Sequence, residues 1–385
     1  RLADQAQLKT YTMVTNGEHN PEVLDGFEFS TFIKELNSRQ AADEDFNGMC
    51  SACLEALAKS CEVVYSAPEF RVQPFDWQPD ARLEPFGSTE QGTALRNSDL
   101  DVRMSFEQFT VNDVDRQLRY LQALQTNPGE NFEVVRMVQS KLPVLRLRYL
   151  RQLVVDVTMG KNMDGGGAEL DQLVVAILKV DQQAQAFVCL VKAFAKVHDL
   201  VDAYGGFLNS ISWVLLAINF LQVQRCLPSY NYLLQSQSRQ GKRTAPRAEQ
   251  KQWPTILSAG LFARFFAYMD ACARRPHKVS INAGRCWEGT GYSWTGASAH
   301  PLLIEHPLVP GRNVAHCLNS KGWSLTNDAC AKAWAVLRAT SGPLDREAVR
   351  RLFELRDVIL HAPKRKQDSE EPETSKRRLT DSTQT

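Results

Sequence analysis

The sequence lacks long apolar runs and has almost no net charge. No stretch of 18 or more apolar residues occurs among its 385 residues, and the longest candidate, ISWVLLAINFLQ at 211–222, suits a buried helix. Lysine and arginine number 45 against 44 acidic residues, which leaves a net charge of +1. Global charge therefore does not indicate a nucleic-acid partner, and any RNA binding would depend on local basic patches.

Paired cysteines are also scarce, although the chain contains nine cysteines. Only Cys50 and Cys53 form a CxxC motif, and no second pair or histidine follows at the spacing of a zinc site. On a helix these two side chains would share one face with Leu54 and Leu57, so core packing is favoured over metal binding. An odd number of dispersed cysteines is typical of a reducing compartment.

What the sequence does contain is a Gly87-Ser88 turn followed by Asp99-Leu100-Asp101. Residues 100–106, LDVRMSF, alternate as a strand does, which directs Asp99 and Asp101 to one face and the apolar side chains to the other. Two neighbouring carboxylates disfavour each other's ionisation, and a divalent cation removes that cost. Oxygen ligands and phosphates suit Mg²⁺, and two such ions can catalyse phosphoryl transfer.

A third acid, Asp156, lies in the β-branched segment LRYLRQLVVDVTMG. A carboxylate in an apolar strand needs a partner or a metal. Taken singly, each feature has an ordinary explanation, namely a polar turn with surface aspartates and a capped strand end. Their joint occurrence indicates a metal site in which Gly87 admits phosphate close to the backbone and Ser88 adds donors.

The order of segments predicts an α+β fold with two lobes. Residues 46–64 indicate a helix, 131–142 (NFEVVRMVQSKL) a second helix, and 143–159 one or two strands. KNMDGGGAEL at 161–170 is a glycine-rich boundary or hinge, after which the pattern is mostly helical. In DAYGGFLNSISWVLL, a Gly-Gly turn precedes a buried helix.

Two segments are predicted to be flexible. Residues 224–252 form a basic insertion whose role is open between a solvated surface loop and an RNA-backbone contact. Its cations from residue 239 onward are Arg239, Lys242, Arg243, Arg247 and Lys251. Residues 363–385 are predicted to be disordered.

These motifs, with VCLVKAFAKV, LSAGLFARFFAYMD and LLIEHPLVPGRNVAHCL, resemble the nucleotidyltransferase superfamily. More narrowly, the chain resembles the non-canonical poly(A) polymerases and terminal uridylyltransferases over roughly residues 46 to 340. Its compact size is similar to that of kinetoplastid mitochondrial members associated with editosome-like complexes. The resemblance implies a catalytic domain at 46–165, a helical poly(A)-polymerase-associated domain at 1–45 and 166–362, a tail at 363–385, and a cleft between the lobes.

The resemblance also implies the chemistry, which is template-independent addition of UMP from UTP to single-stranded RNA 3′ ends with Mg²⁺ or Mn²⁺. It assigns the metal-binding and catalytic roles to Asp99, Asp101 and Asp156. The nucleotide would be held by Gly87, Ser88, Lys192, Lys196, Ser210 and Arg312. Four-residue spacing puts Lys192 and Lys196 on one helix face, which alone would equally fit surface lysines. The implied setting is RNA editing in a mitochondrial-matrix protein complex, without a membrane.

The chain departs from this family's pattern where the base is recognised. Ile211 stands where uridylyltransferases usually have a stacking tyrosine, and His306, Val309 and Arg312-Asn313 replace an acidic pattern and a His-Asn pair. The asparagine that contacts the ribose has no clear match. Arg312 only donates hydrogen bonds, so it could contact a uracil carbonyl and disfavour the adenine amine. UTP is thereby weakly favoured, with ATP transfer or an inactive RNA-binding relative as alternatives.

Overall fold

The computed structural model describes residues 44–70, 80–96, 98–106, 113–140, 142–159, 167–240, 259–274, 277–288, 300–339 and 352. The flexibility predicted for 224–252 was wrong over Tyr230–Gln240, which form a helix because Tyr230 and Leu233 pack against a hydrophobic core. The predictions for residues 1–43, for the glycines before residue 167, for the basic insertion beyond residue 240 and for the tail at 363–385 lie outside the described residues. The domain boundaries therefore stay predictions.

The first lobe is a five-stranded mixed sheet packed against two helices. The helices are α1 (Glu44–Tyr65) and α2 (Val114–Thr126). The strands are β1 (Ala81–Phe86), β2 (Leu100–Phe106), β3 (Phe132–Val138), β4 (Val144–Tyr149) and β5 (Leu153–Met159), in the order β1-β2-β5-β4-β3. Only β2 and β5 are parallel, and they lie at the centre of the sheet.

The alternation predicted for 100–106 is observed on β2. Leu100, Val102 and Met104 are fully buried, while the residues between them are half-buried and face the other side. The helix predicted at 46–64 is also observed as α1, and its cysteines pack in the core as expected. Burial raises the pKa of Cys50 to about 11 and of Cys53 to about 12, so both thiols stay neutral.

The helix predicted at 131–142 was wrong, because this segment contains the edge strand β3. It pairs antiparallel with β4, and its Phe132 ring lies 5.1 Å from the Tyr149 ring. The register shifts between Val134 and Arg136. Such a shift breaks the two-residue alternation of side chains, which explains why the pattern resembled a helix.

The second lobe is mostly helical, as predicted, and adds a small sheet that the sequence did not reveal. Its helices are α3 (Gly167–Leu178), α4 (Gln182–Val197), α5 (Ser210–Val223), α6 (Tyr230–Gln240), α7 (Ala259–Arg274) and α8 (Ser320–Ala339). The sheet consists of β6 (His277–Ser280), β7 (Arg285–Glu288) and β8 (Leu302–Ile304), in the order β7-β6-β8.

Helix α5 forms the centre of this lobe because it is apolar on all sides. Its residues from Ser212 to Gln222 are all buried, as expected of a helix enclosed by its neighbours. Within the described residues, no single helix is both long enough and apolar enough to span a membrane. Helices α3 and α4 meet these two criteria only when they are counted as one segment, and they are bent by 119° relative to each other.

Candidate active site

Three acidic side chains meet at one edge of the central strand pair. Asp101 on β2 is the direct register partner of Asp156 on the adjacent parallel strand β5, and Asp99 immediately precedes β2. Neighbouring strands in a sheet lie about 4.8 Å apart. The structure therefore brings together the three carboxylates that the sequence singled out.

Their mutual repulsion is visible in the pKa of Asp101. Burial, followed by the charges of Asp156, Asp99 and Asp171, raises the pKa of Asp101 from 3.8 to about 7. Burial is also the main cause that raises the pKa of Asp99, which Arg146 partly opposes. A cluster that resists full ionisation and faces a cleft has the donor chemistry of a divalent-cation site.

Arg146 on β4 supplies the cation within this cluster, and sequence reasoning missed it. Its Nε donates to Asp156 Oδ1 at 2.7 Å and its Nη2 to Asp156 Oδ2 at 2.6 Å, while Nη2 lies 3.5 Å from Asp99 Oδ2. The hydrogen bonds to Asp156 are the main cause that raises the pKa of Arg146. The guanidinium therefore orients Asp156 through a two-point contact.

Gly87 begins the turn beside these acids, and its backbone conformation makes room for one of them. Its φ is +68°, and a Cβ added there would lie 2.8 Å from Asp101 Oδ2. The turn is closed by backbone hydrogen bonds from Gln91 N to Gly87 O and from Thr93 N to Ser88 O. Gly87 and Ser88 are thus fixed next to the carboxylates.

Two side chains of the second lobe hold this turn in place. Asp171 on α3 is buried and accepts from Gly87 N and from Gln91 Nε2, each at 2.7 Å. Lys192 on α4 is also buried, and its Nζ donates to Thr93 O at 2.6 Å and to Thr93 Oγ1 at 3.2 Å. Burial lowers the pKa of Lys192 to about 8. The turn therefore joins the two lobes.

Asp99, Asp101 and the turn border a cleft of about 500 Å³ between the lobes, within the range typical of small-molecule sites. Both lysines line it, and Lys196 is exposed one helical turn beyond Lys192. Ser210 and Ile211 reach it from the N-terminus of α5, where helix amides favour anions. All predicted nucleotide-binding residues except Arg312 are thus gathered around one cleft.

Comparison with known proteins agrees with this geometry. Residues 37–165 match the family described as "Poly(A) RNA polymerase, mitochondrial-like, central palm domain". The terminal uridylyltransferase cid1 of Schizosaccharomyces pombe is 25% identical over 344 residues, which cover 78% of each chain. The chain thus matches this palm-domain family over its first lobe and is similar to a terminal uridylyltransferase over most of its length.

Further similar proteins extend the comparison. Terminal uridylyltransferase 4 of Homo sapiens is 24% identical over 260 residues, which cover 64% of this chain and only 14% of that protein. A solved cytoplasmic RNA terminal U-transferase superposes with a TM-score of 0.64 at 22% identity, covering 84% of this chain and 96% of its own. The structure of mtPAP in complex with UTP superposes with a TM-score of 0.65 at 14% identity, and the superposition covers 88% of this chain and 75% of the mtPAP chain. The predicted two-lobed fold is confirmed.

Neither Tyr204 nor Trp213 takes the place of the stacking ring that the family usually has at position 211. Tyr204 is 83% exposed, and Trp213 is fully buried with its Nε1 donating to Leu200 O at 3.2 Å. Neither lies among the described residues that line the cleft. The described lining of the cleft is therefore aliphatic at position 211.

Arg312 also lies apart from the described lining of the cleft. Its side chain is exposed in the turn after β8, where its carbonyl accepts from His306 N at 2.9 Å. The sequence-based assignment of Arg312 to uracil contact gains no geometric support from this position and stays a prediction.

Replacing Arg146 with methionine should make this nucleotidyltransferase more dependent on a divalent cation. Without the guanidinium, three carboxylates face one another, so we expect the metal-free variant to lose about 1–2 kcal/mol of stability. Mg²⁺ should raise its melting temperature more than that of the parent protein, and RNA extension should slow because Asp156 loses its anchor. Thermal unfolding with EDTA and with Mg²⁺ measures the effect.

Arg148→Met is the matched control for this experiment. Arg148 lies on the same strand and faces the same side, but its partner is the exposed Glu133, at 3.4 Å. This control should show the parent's response to Mg²⁺. An equal response in Arg146→Met would contradict the role assigned to Arg146.

Proposed function

We propose that this protein is an RNA terminal uridylyltransferase, which adds UMP from UTP to RNA 3′ ends without a template. The observation that carries the proposal is the junction of three carboxylates with the Gly87-Ser88 turn in a cleft of nucleotide size. The similarity to terminal uridylyltransferases over most of the chain supports the same reaction.

The donor set suits Mg²⁺, with Mn²⁺ as a substitute. Asp99, Asp101 and Asp156 offer only carboxylate oxygens, and burial, followed by its acidic neighbours, raises the pKa of Asp101. These three residues would hold two ions. When bound, such ions lower the pKa of the attacking hydroxyl and stabilise charge on the leaving pyrophosphate.

The protein's own side chains would position the reactants for an in-line displacement. A bond forms between the RNA 3′ oxygen and the α-phosphorus of UTP, and the bond to pyrophosphate breaks. Lys196 and the N-terminus of α5 offer positive charge to the triphosphate. Buried Lys192 acts mainly by holding Thr93, and with it the turn that carries Ser88. Arg146 keeps Asp156 aimed at the attacking end.

The choice between UTP and ATP depends on the residues at the N-terminus of α5 and on the similar proteins. Ser210 and Ile211 line the cleft, and an aliphatic Ile211 removes the ring that uridylyltransferases usually stack on uracil. That substitution, together with the fold shared with mtPAP, supports ATP transfer as the alternative. The predominance of uridylyltransferases among the similar sequences favours UTP. Three clustered acids disfavour an inactive RNA-binding relative.

The proposed cellular setting follows from the description of the matching family and from the resemblance of the sequence. The matching family carries a mitochondrial-like description, and the compact chain resembles kinetoplastid mitochondrial members. We accordingly propose the mitochondrial matrix and an editosome-like RNA-processing complex as its setting. Co-purification of a tagged chain from isolated mitochondria tests this, and recovery only from the cytosol would refute it.

Extension of a single-stranded RNA with each nucleoside triphosphate in turn tests the activity and the base choice. We expect elongation with UTP and Mg²⁺ at an efficiency at least tenfold above that with ATP, CTP or GTP. Elongation with ATP alone would establish the adenylyltransferase alternative. Failure with all four nucleotides, in both Mg²⁺ and Mn²⁺, would refute both enzyme assignments.

A further inference from the structure

A second cluster of metal-ligating side chains lies in the second lobe, formed by Cys272, His277 and Cys286. One potential ligand atom from each lies within 4.8 Å of the other two. None of the three is among the described residues that line the catalytic cleft. The cluster is therefore separate from the acidic site and needs its own explanation.

The fold brings the three residues together from distant positions in the sequence. Val279 on β6 is the register partner of Cys286 on β7, so Cys286 lies on the same face of the hairpin as His277, two residues before Val279. Cys272 approaches from the last turns of α7, which leads directly into β6. The spacings of four and eight intervening residues match no familiar zinc motif, which is why the sequence did not reveal the site.

The surroundings of the cluster are dry and rich in sulfur. Cys272 is fully buried, His277 is 2% exposed, and Cys286 is half-buried. Cys272 and Cys286 share a hydrogen bond. Two sulfurs and one imidazole are therefore gathered in a largely buried site.

We propose that Cys272, His277 and Cys286 bind a structural Zn²⁺. Soft thiolates combined with an imidazole are the ligands of structural zinc sites, which are tetrahedral and closed. Bond lengths of about 2.3 Å to sulfur and 2.0 Å to nitrogen separate tetrahedral ligand atoms by about 3.5–3.8 Å. The observed spread of up to 4.8 Å needs only small side-chain movements to reach that value.

The composition of this cluster differs from that around the cysteines of the first lobe. Cys50, Cys53 and Cys61 pack among apolar side chains of the sheet core. In the second-lobe cluster, a buried imidazole and two thiols lie within reach of one ion. A zinc ion there would tie the end of α7 to the β6-β7 hairpin.

Metal analysis of the purified full chain tests the proposal. We expect one zinc per chain, retained through gel filtration, and released when a mercurial reagent blocks the thiols. Chelation should lower the melting temperature, and zinc should restore it. X-ray absorption of the bound ion should show mainly sulfur neighbours with one nitrogen.

Single substitutions separate zinc binding from general damage to the core. Cys286→Ser and His277→Gln should reduce zinc content at least tenfold, whereas Cys317→Ser, which changes a half-buried thiol outside the cluster, should retain one zinc. Circular dichroism confirms that each variant is folded. Zinc-free protein after purification in zinc-supplemented medium would overturn the proposal, as would full zinc content in both cluster variants. A Cys272–Cys286 disulfide found by non-reducing mass spectrometry would also overturn it.

Discussion

Replacing Asp101 with alanine should abolish RNA extension while leaving the fold intact. Asp101 lies between Asp99 and Asp156, and it is the acid whose pKa is raised to about 7 by burial and by its acidic neighbours. Its loss removes a ligand from the metal site, and we expect the rate to fall at least about 10³-fold, equivalent to roughly 4 kcal/mol. Single-turnover extension with saturating UTP and RNA measures this.

The same substitution should stabilise the metal-free protein, or leave it unchanged, because it removes a buried charge from a repulsive cluster. Circular dichroism and thermal unfolding in EDTA provide that readout. Asp328→Ala, which removes an exposed acid on α8, serves as the control and should retain full activity. Asp101→Ala enzyme that extends RNA at the parent rate would exclude a metal-binding role for this carboxylate.

Replacing Gly87 with alanine should cost activity far more than stability. The added Cβ would lie 2.8 Å from Asp101 Oδ2, so either the turn or the carboxylate must move. A displacement of about 1 Å at a reacting centre can reduce the rate about 10²-fold. The positive φ of +68° adds strain of about 1 kcal/mol to an alanine. Kinetics and urea unfolding of the same preparation separate the two effects.

Gly311→Ala is the matched control for backbone strain. Its φ is +80°, and an added Cβ would meet nothing within 4 Å. We expect a similar loss of stability in both variants, with the large loss of rate confined to Gly87→Ala. Comparable rates in the two variants would show that contact with Asp101 is unimportant.

Local pattern was sufficient to predict the elements that carry the acids. Alternation identified β2, and the β-branched run around Asp156 identified a strand, because each side chain there obeys the two-residue period of a sheet. The buried helix α5 was equally clear from its continuous apolar run. A register shift hid β3, since an irregular strand has no regular period to detect.

The supporting side chains could not be found in the same way, because their roles arise only from tertiary contacts. Arg146 resembles any outward-facing residue of a strand until β4 pairs with β5 and brings it to Asp156. Asp171 is one of two acids in the largely apolar helix α3, the other being Glu169, and nothing local connects it with Gly87. The Cys272, His277 and Cys286 cluster likewise requires a helix and a hairpin to meet.

The stoichiometry of pyrophosphate release tests nucleotidyl transfer most directly. Parent protein, UTP and Mg²⁺ are incubated with an RNA that ends in a 3′ hydroxyl. A parallel reaction contains the same RNA with a terminal 3′-deoxynucleotide, which lacks the attacking hydroxyl. We predict one pyrophosphate released for each UMP added to the first RNA, and neither product with the second. Release of inorganic phosphate from UTP, or pyrophosphate without RNA elongation, would contradict the proposed reaction.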